Sequence, residues 1–209
     1  MTLPGPARVV GRTLVPADPD PRRQPVDATL IVITVAGTFF LIAVGLYNRL
    51  VRARVRVDEA WAQIDTQLQR RHDLIPNLVE TVKGYAAHEQ ETLEGVTAAR
   101  ARAISVTAPA ELAEAENGLT QALGKLLAIT ENYPDLKADA NFRQLQEELA
   151  HTENMVAGAR GNYNGSVRAY DELRQLFPSS VVASMFSFGA REYFEVETVA
   201  VRTVPDVSF

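Results

Sequence analysis

Three histidines, His72, His88 and His151, are the side chains of this chain best suited to acid–base or metal chemistry near neutral pH. None stands in a recognisable site. His88-Glu89 could approach His151 if their segments pack side by side, but a solvated histidine on a polar helix face is the commoner arrangement. The Glu-x-x-His repeat of di-iron bundles is missing. There is no cysteine, which removes disulfides, a thiolate nucleophile, Cys-ligated zinc, iron–sulfur clusters and cysteine acylation. Phosphate-loop and serine-nucleophile motifs are absent as well. Gly158, Gly161 and Gly165 follow a helical stripe rather than a strand, so they make no nucleotide-binding turn. Each costs a helix about 1 kcal/mol relative to alanine, and close approach of a neighbouring helix is the expected reason for them. Asn164-Gly165-Ser166 matches a glycosylation acceptor, a pattern short enough to recur by chance. Glu114 with Glu116, and Glu147 with Glu148, fit a solvated face, because near neighbours on a helix do not face each other. No catalytic, metal-binding or cofactor-binding residue emerges, and the expectation is a protein without enzymatic activity.

Charge offers two other groups of candidates. Arg49, Arg52, Arg54 and Arg56 crowd one short stretch and could contact anionic lipid headgroups, each contributing about 1 kcal/mol. The simpler alternative is that they only set membrane topology. Asp65, Arg71, Asp73, Asn77, Glu153, Asn154 and Arg160 lie in or beside apolar stripes. Buried charges need partners, so these residues are expected to form an interhelical polar network that fixes register. Solvent exposure is the alternative for any one of them.

The elements that would carry these residues are helical throughout. Residues 1–27 hold six prolines, four arginines and three aspartates with no apolar period, and read as a disordered tail. Residues 28–48 run for 21 positions without a charge. About 20 residues at 1.5 Å each cross the hydrocarbon layer, so this is a transmembrane helix, with Tyr47 at its aromatic end. A buried core helix is rarely so long and apolar, and a cleaved signal peptide needs a shorter run and a small-residue cleavage site. The arginines flanking the run nearly balance, and the denser cluster after it places the body on the cytoplasmic side.

Beyond the run, Val57, Trp61, Ile64, Leu68, Arg71, Ile75, Leu78, Val82 and Tyr85 step by four and three, a heptad stripe interrupted only by Arg71. Residues 51–57 alternate like a strand, yet helical patterns on both sides favour helix. Pro76 should kink the helix without ending it, since the stripe resumes in register. A helix from residue 49 to 103 would be about 80 Å long, and a bend or break is expected near Pro76 or Gly84. Leu112, Leu119, Leu123, Leu126 and Thr130 form a second stripe after Pro109. A third runs Phe142, Leu145, Leu149, Thr152, Val156, Ala159, Tyr163, Val167, Tyr170 and Phe177. A short apolar segment over 181–188 and an exposed tail over 189–209 complete the chain. The fold class is all-α: an N-terminal transmembrane helix followed by an antiparallel bundle of three to four long helices over 49–188. The net charge is −5, and residues 73–209 carry eleven bases against twenty acids. A body so acidic, with no basic stripe, argues against nucleic acid as a partner.

Several stretches resemble the LemA family. They are Tyr47-Asn48-Arg49-Leu50-Val51, Ala60-Trp61, and the run from Gln67 through Arg70-Arg71-His72-Asp73-Leu74-Ile75-Pro76-Asn77 to Val79. Further ones are Thr81-Val82-Lys83-Gly84-Tyr85, Glu131-Asn132-Tyr133-Pro134-Asp135, Thr152-Glu153-Asn154, Tyr163-Asn164, Phe177-Pro178 and Tyr193-Phe194-Glu195. The resemblance covers about residues 46–195. It implies a single-pass protein of the bacterial cytoplasmic (inner) membrane, with an antiparallel helical bundle, no established enzymatic activity and no cofactor. The family's reach into magnetosome proteins implies a part in membrane organisation. The chain departs from the family in its long Pro/Arg-rich tail. It also departs at Asn164-Gly165-Ser166 and Tyr170-Asp171-Glu172, which puts in doubt a role for the second asparagine of the usual wording. The expected function is a membrane scaffold that self-associates, with membrane lipids and further copies of itself as partners. The alternative is an accessory or sensory subunit of a separate membrane complex.

Overall fold

The computed structural model describes Met1 and residues 26–195, so residues 2–25 of the expected disordered tail over 1–27, and residues 196–209, lie outside it. Six helices follow in order: α1 (Val26–Tyr85), α2 (Gln90–Ser105), α3 (Pro109–Thr130), α4 (Pro134–Ala138), α5 (Ala140–Gln175) and α6 (Ser179–Met185). There is no strand among the described residues. The chain divides into two compact units, Met1–Ala43 and Val44–Phe209.

In the first unit, every described residue from 28 to 43 is exposed. The start of α1 is long and apolar enough to cross a membrane. The hydroxyls of Thr34 and Thr38 donate to the carbonyls of Leu30 and Thr34, at 2.8 and 2.9 Å, so neither is left without a partner in an apolar setting.

In the second unit, α1 from residue 44 onward, α2, α3 and α5 are the long helices. The heptad stripe of α1 forms its core face: Val57, Ile64, Leu68, Arg71, Ile75, Leu78 and Val82 are all buried. Residues 51–57 are helical. Pro76 sits inside α1 without ending it. The expected break falls just after Gly84, where residues 86–89 turn back into α2, held by Ala86 N donating to Val82 O (2.8 Å) and Glu89 N to Ala86 O (3.1 Å). The helix expected over 49–103 is thus two helices, and Tyr85, at the end of the first, is exposed.

Polar contacts fix the directions. Arg102 reaches Glu114 between α2 and α3, and Asn162 reaches Gln63 and Asn141 reaches Thr81 between α5 and α1. Each neighbouring pair is antiparallel, which makes an up-and-down bundle. Its core has two parts. One gathers residues 75–86 of α1, 93–103 of α2, 115–126 of α3, Leu136 of α4 and 142–149 of α5. The other gathers residues 50–68 of α1 and 156–170 of α5 with Leu112, Ala113, Val182, Ala183, Phe188 and Phe194. Four long helices surround the first part. The second is an α1–α5 hairpin covered by α6 and by the segment after it.

That last segment corrects an expectation. Residues 189–195 are no exposed tail: Phe194 is 1% accessible, between the Trp61 ring (6.0 Å) and the Arg160 guanidinium (5.2 Å). The segment lacks a backbone ladder, so side chains of α5 supply its partners. Tyr163 and Tyr170 hydroxyls donate to the carbonyls of Glu192 and Gly189. The Asn164 amide accepts from Phe194 N (2.9 Å) and donates to Phe194 O (3.2 Å). Asn164 is therefore a clamp on a helix.

The glycines also differ from expectation. A Cβ placed on Gly158, Gly161 or Gly165 would meet nothing within 4 Å, so no neighbouring helix among the described residues approaches them closely.

α5 begins at Asp139, whose carboxylate accepts from Phe142 N at 2.8 Å. That bond, aided by the Tyr85 hydroxyl at 3.2 Å, holds the carboxyl below its ordinary value. A lowered carboxyl pKa contributes stability at neutral pH that is lost as pH falls through the folded-state value. Asp139→Ala should lower the melting temperature in detergent at pH 7, and Asp139→Asn should recover most of the loss, since asparagine caps as well. The remaining advantage of aspartate should vanish on acidification. An advantage that persists in strong acid would assign it to something other than the charge.

Candidate functional site

The strongest concentration of buried polar groups sits where the two apolar cores meet. Arg71 takes its place on α1 between Leu68 and Ile75. Glu116 lies on α3 between Leu112 and Leu119, one step of four and one of three from these core leucines. The two residues are each 4% exposed, and His72 is 5% exposed. Arg71 Nη1 lies 3.2 Å from Glu116 Oε2, and His72 Nε2 lies 2.6 Å from Glu116 Oε1. Arg71 Nη2 donates to Thr120 Oγ1 at 3.0 Å. From α2, Arg100 Nε donates to the His72 carbonyl at 2.7 Å. One carboxylate thus joins α3 to α1, and one backbone carbonyl of α1 joins it to α2. Thr152 of α5 is fully buried at the same junction of cores, its hydroxyl returned to Leu149 O.

Arg71 and Thr120 also line a cavity of about 200 Å³, walled mainly by Leu78, Leu123, Leu127 and Leu149, with Glu153 among its lining residues. Arg71 Nε is buried with no partner, the sole such side-chain nitrogen or oxygen among the described residues. Leaving a buried donor unmade costs about 1–3 kcal/mol. The centre therefore specifies an alignment of helices at some expense in stability.

Of the expected network, only Arg71 is at this centre. Asp65, Asp73, Asn77, Glu153 and Asn154 are exposed and make no side-chain hydrogen bond or ion pair with another helix. Asp73 accepts from Gln69 of its own helix, and Asn77 only lends its carbonyl to Thr81. The reason is helical phase. Residues 65, 73 and 77 fall between the core positions 64, 68, 71, 75 and 78, and residues 153 and 154 flank Thr152 and Val156. Arg160 has a different role, its guanidinium over the Phe194 ring. The partners that matter are His72, Glu116, Thr120 and Arg100. Glu116 could have been found in the sequence, since it fills the four-three position left open between Leu112 and Leu119.

The second candidate group lies near the start of the second unit. Arg49, Arg52 and Arg56 line one cleft of about 580 Å³ with Gly45, Asn48, Ala53, Ala169, Glu172, Leu173 and Leu176. Arg54 lies outside it. None of the four forms an ion pair among the described residues. Among the described residues, no three His, Asp or Glu side chains gather closely enough to hold a metal ion.

The profile of the LemA family matches residues 60–209. The chain belongs to the LemA family. Protein LemA of Metamycoplasma hominis is 26% identical over 83% of this chain and 81% of its own. Magnetosome protein MamQ 2 of Paramagnetospirillum magneticum is 26% identical over 83% of this chain and 74% of its own. Magnetosome protein MamQ of Magnetospirillum gryphiswaldense is 24% identical, covering 82% and 73%. In this LemA-family chain the matched region takes in the whole polar centre, all of the four-helix core and the other core from Ala60 onward, while Leu50, Ala53, Val57 and the cleft arginines precede it.

Removing Glu116 strands Arg71 and His72 in an apolar interior. Glu116→Ala should therefore destabilise the bundle by about 3–5 kcal/mol, read from denaturant unfolding in detergent. The combined replacement Arg71→Met, His72→Leu and Glu116→Leu should recover most or all of that loss. A triple variant as unstable as Glu116→Ala would show that the centre stabilises the fold as well as aligning it.

Proposed function

We propose that this protein is a non-enzymatic, membrane-anchored scaffold that associates with further copies of itself. The observation that carries the proposal is the open side of the α1–α5 pair. A groove of about 530 Å³ there is lined by Ala62, Gln63 and Thr66 of α1 and by Met155, Gly158 and Asn162 of α5. Gly161 and Gly165 continue it toward Ala53 and Arg56. Three glycines on one helix weaken it by about 1 kcal/mol each, and nothing among the described residues uses the space they leave. A second copy packed along this side would.

The interior supports a role without catalysis. Arg71, His72, Glu116 and Thr120 spend their polar groups on one another, as a helix-aligning centre would. The anchor is read from the uncharged run over 28–48, and the dense arginines after it favour a body on the cytoplasmic side of a bacterial inner membrane. Relatives that carry the name of magnetosome proteins favour a part in organising a membrane. Such a part suits a protein with lipids and its own copies as partners and no cofactor.

Light scattering in mild detergent tests this directly. The protein should give a mass of two or more copies that falls to one on dilution, and Gly158→Leu with Gly161→Leu should shift the midpoint at least tenfold toward the monomer. A monomer at every concentration overturns self-association. A stoichiometric foreign protein recovered after crosslinking in native membranes, with no self-contacts, assigns the chain instead to an accessory or sensory subunit.

A further inference from the structure

The end of the bundle formed by the α5–α6 turn is apolar and uncovered. From Leu176 to Ala190 the chain carries no charge. Some of that segment is core: Val182, Ala183 and Phe188 are buried. The rest points outward, with Leu176, Phe177, Val181, Met185 and Phe186 between 50 and 83% exposed. Phe177 was expected to continue the α5 stripe. It does not, because Leu176 leaves the helix with extended angles (φ −77°, ψ 138°) and a residue before proline is disfavoured in the helical region. Five large apolar side chains on one small knob form a patch of the kind that marks a contact surface.

Tyr47 says which contact. Its ring meets Phe186 edge-on at 4.8 Å and Phe188 at 5.7 Å. Tyr47 is also the aromatic residue that closes the uncharged run over 28–48, the position where such rings sit at the headgroup level. Side chains packed against Tyr47 share its depth. Beside them, Leu176 joins the knob to the cleft of Arg49, Arg52 and Arg56, three guanidinium groups without an ion pair among the described residues and with Glu172 as the one acid in the lining. Apolar side chains next to unpaired cations fit the boundary between acyl chains and anionic headgroups. A soluble partner protein would match the apolar knob but would not account for its place against Tyr47.

We propose that the α5–α6 knob is a second membrane contact, in which Leu176, Phe177, Val181, Met185 and Phe186 enter the headgroup–acyl boundary while Arg49, Arg52 and Arg56 bind the phosphates of anionic lipids. The proposal rests on residues 28–48 spanning the bilayer, and its test keeps the two apart. Since the chain has no cysteine, single Ser184→Cys and Met185→Cys variants take an environment-sensitive fluorophore cleanly, with Ala87→Cys in the α1–α2 turn as the control. The full chain is reconstituted in vesicles of phosphatidylcholine, alone or mixed with phosphatidylglycerol, containing lipids with quenchers on their acyl chains. Labels at 184 and 185 should be quenched several-fold more than the label at 87, and more strongly with phosphatidylglycerol. Arg49→Gln, Arg52→Gln and Arg56→Gln together should abolish that increment.

Quenching at 184 and 185 no greater than at 87, in protein that still resists extraction by alkaline carbonate, overturns the knob contact and leaves the anchor standing. Protein that carbonate extracts overturns the anchor itself. Disulfide-linked dimers of the unlabelled Met185→Cys variant, without quenching of its labelled form, assign the knob to a second copy. An increment with phosphatidylglycerol that survives the triple arginine variant overturns the role of the cleft.

Discussion

A guanidinium in the interior of a helical bundle has to meet a carboxylate, and the position of that carboxylate then constrains every helix around it. Arg71 cannot slide along α3 by one turn without losing Glu116, and Glu116 cannot move without losing His72 as well. Arg100 ties α2 to the same point through the His72 carbonyl. Heptad-like leucine stripes by themselves tolerate shifts of register, because one apolar layer packs much like the next. A single polar layer removes that degeneracy. Within that layer Arg71 Nε alone is buried without a protein partner.

The polar layer also divides the body into halves built differently. On one side four long helices enclose Leu78, Leu119, Leu126 and Phe142. On the other, two helices would leave one face of Tyr163, Val167 and Tyr170 bare. α6 and the segment ending at Phe194 cover that face. The cover has no regular structure of its own and depends on hydroxyl and amide groups of α5. That explains why tyrosines and an asparagine, rather than leucines, appear at this height of the helix. The open side of the same two-helix half carries the glycine groove, and its end carries the apolar knob. The groove and the knob thus belong to the half with fewer helices to bury them.

Much of this was legible in the sequence. The uncharged run and the three stripes identify α1, α3 and α5 and a little over half of the buried apolar residues, because burial on one helix face imposes a period that composition alone does not. Arg71 announces itself as the interruption of a stripe. Glu116 does not, because beside Glu114 it reads as one solvated pair, although the two lie on different faces. The polar residues near Arg71 mislead for a related reason: closeness in sequence suggests a common network, whereas a helix turns Asp73 and Asn77 away from Arg71. Phe194 gives no signal, since an irregular segment has no period and its partners lie 30 residues back on α5. Phe177 fits the spacing of a stripe, yet the proline after it has already ended the helix.

The α1–α5 hairpin has a consequence for how the chain is made. Gln63 meets Asn162 across 99 positions of sequence, while α1, α2 and α3 meet over much shorter separations. The four-helix half can therefore begin to close while synthesis continues, but the buried face of α1 from Leu50 to Leu68 lacks most of its partners until α5 emerges. At ordinary elongation rates that interval is on the order of 5–20 s. During it, an apolar helix face waits in the growing chain directly behind the uncharged run. Arg49, Arg52, Arg54 and Arg56, all exposed in the finished fold, keep the rest of that stretch charged during the wait.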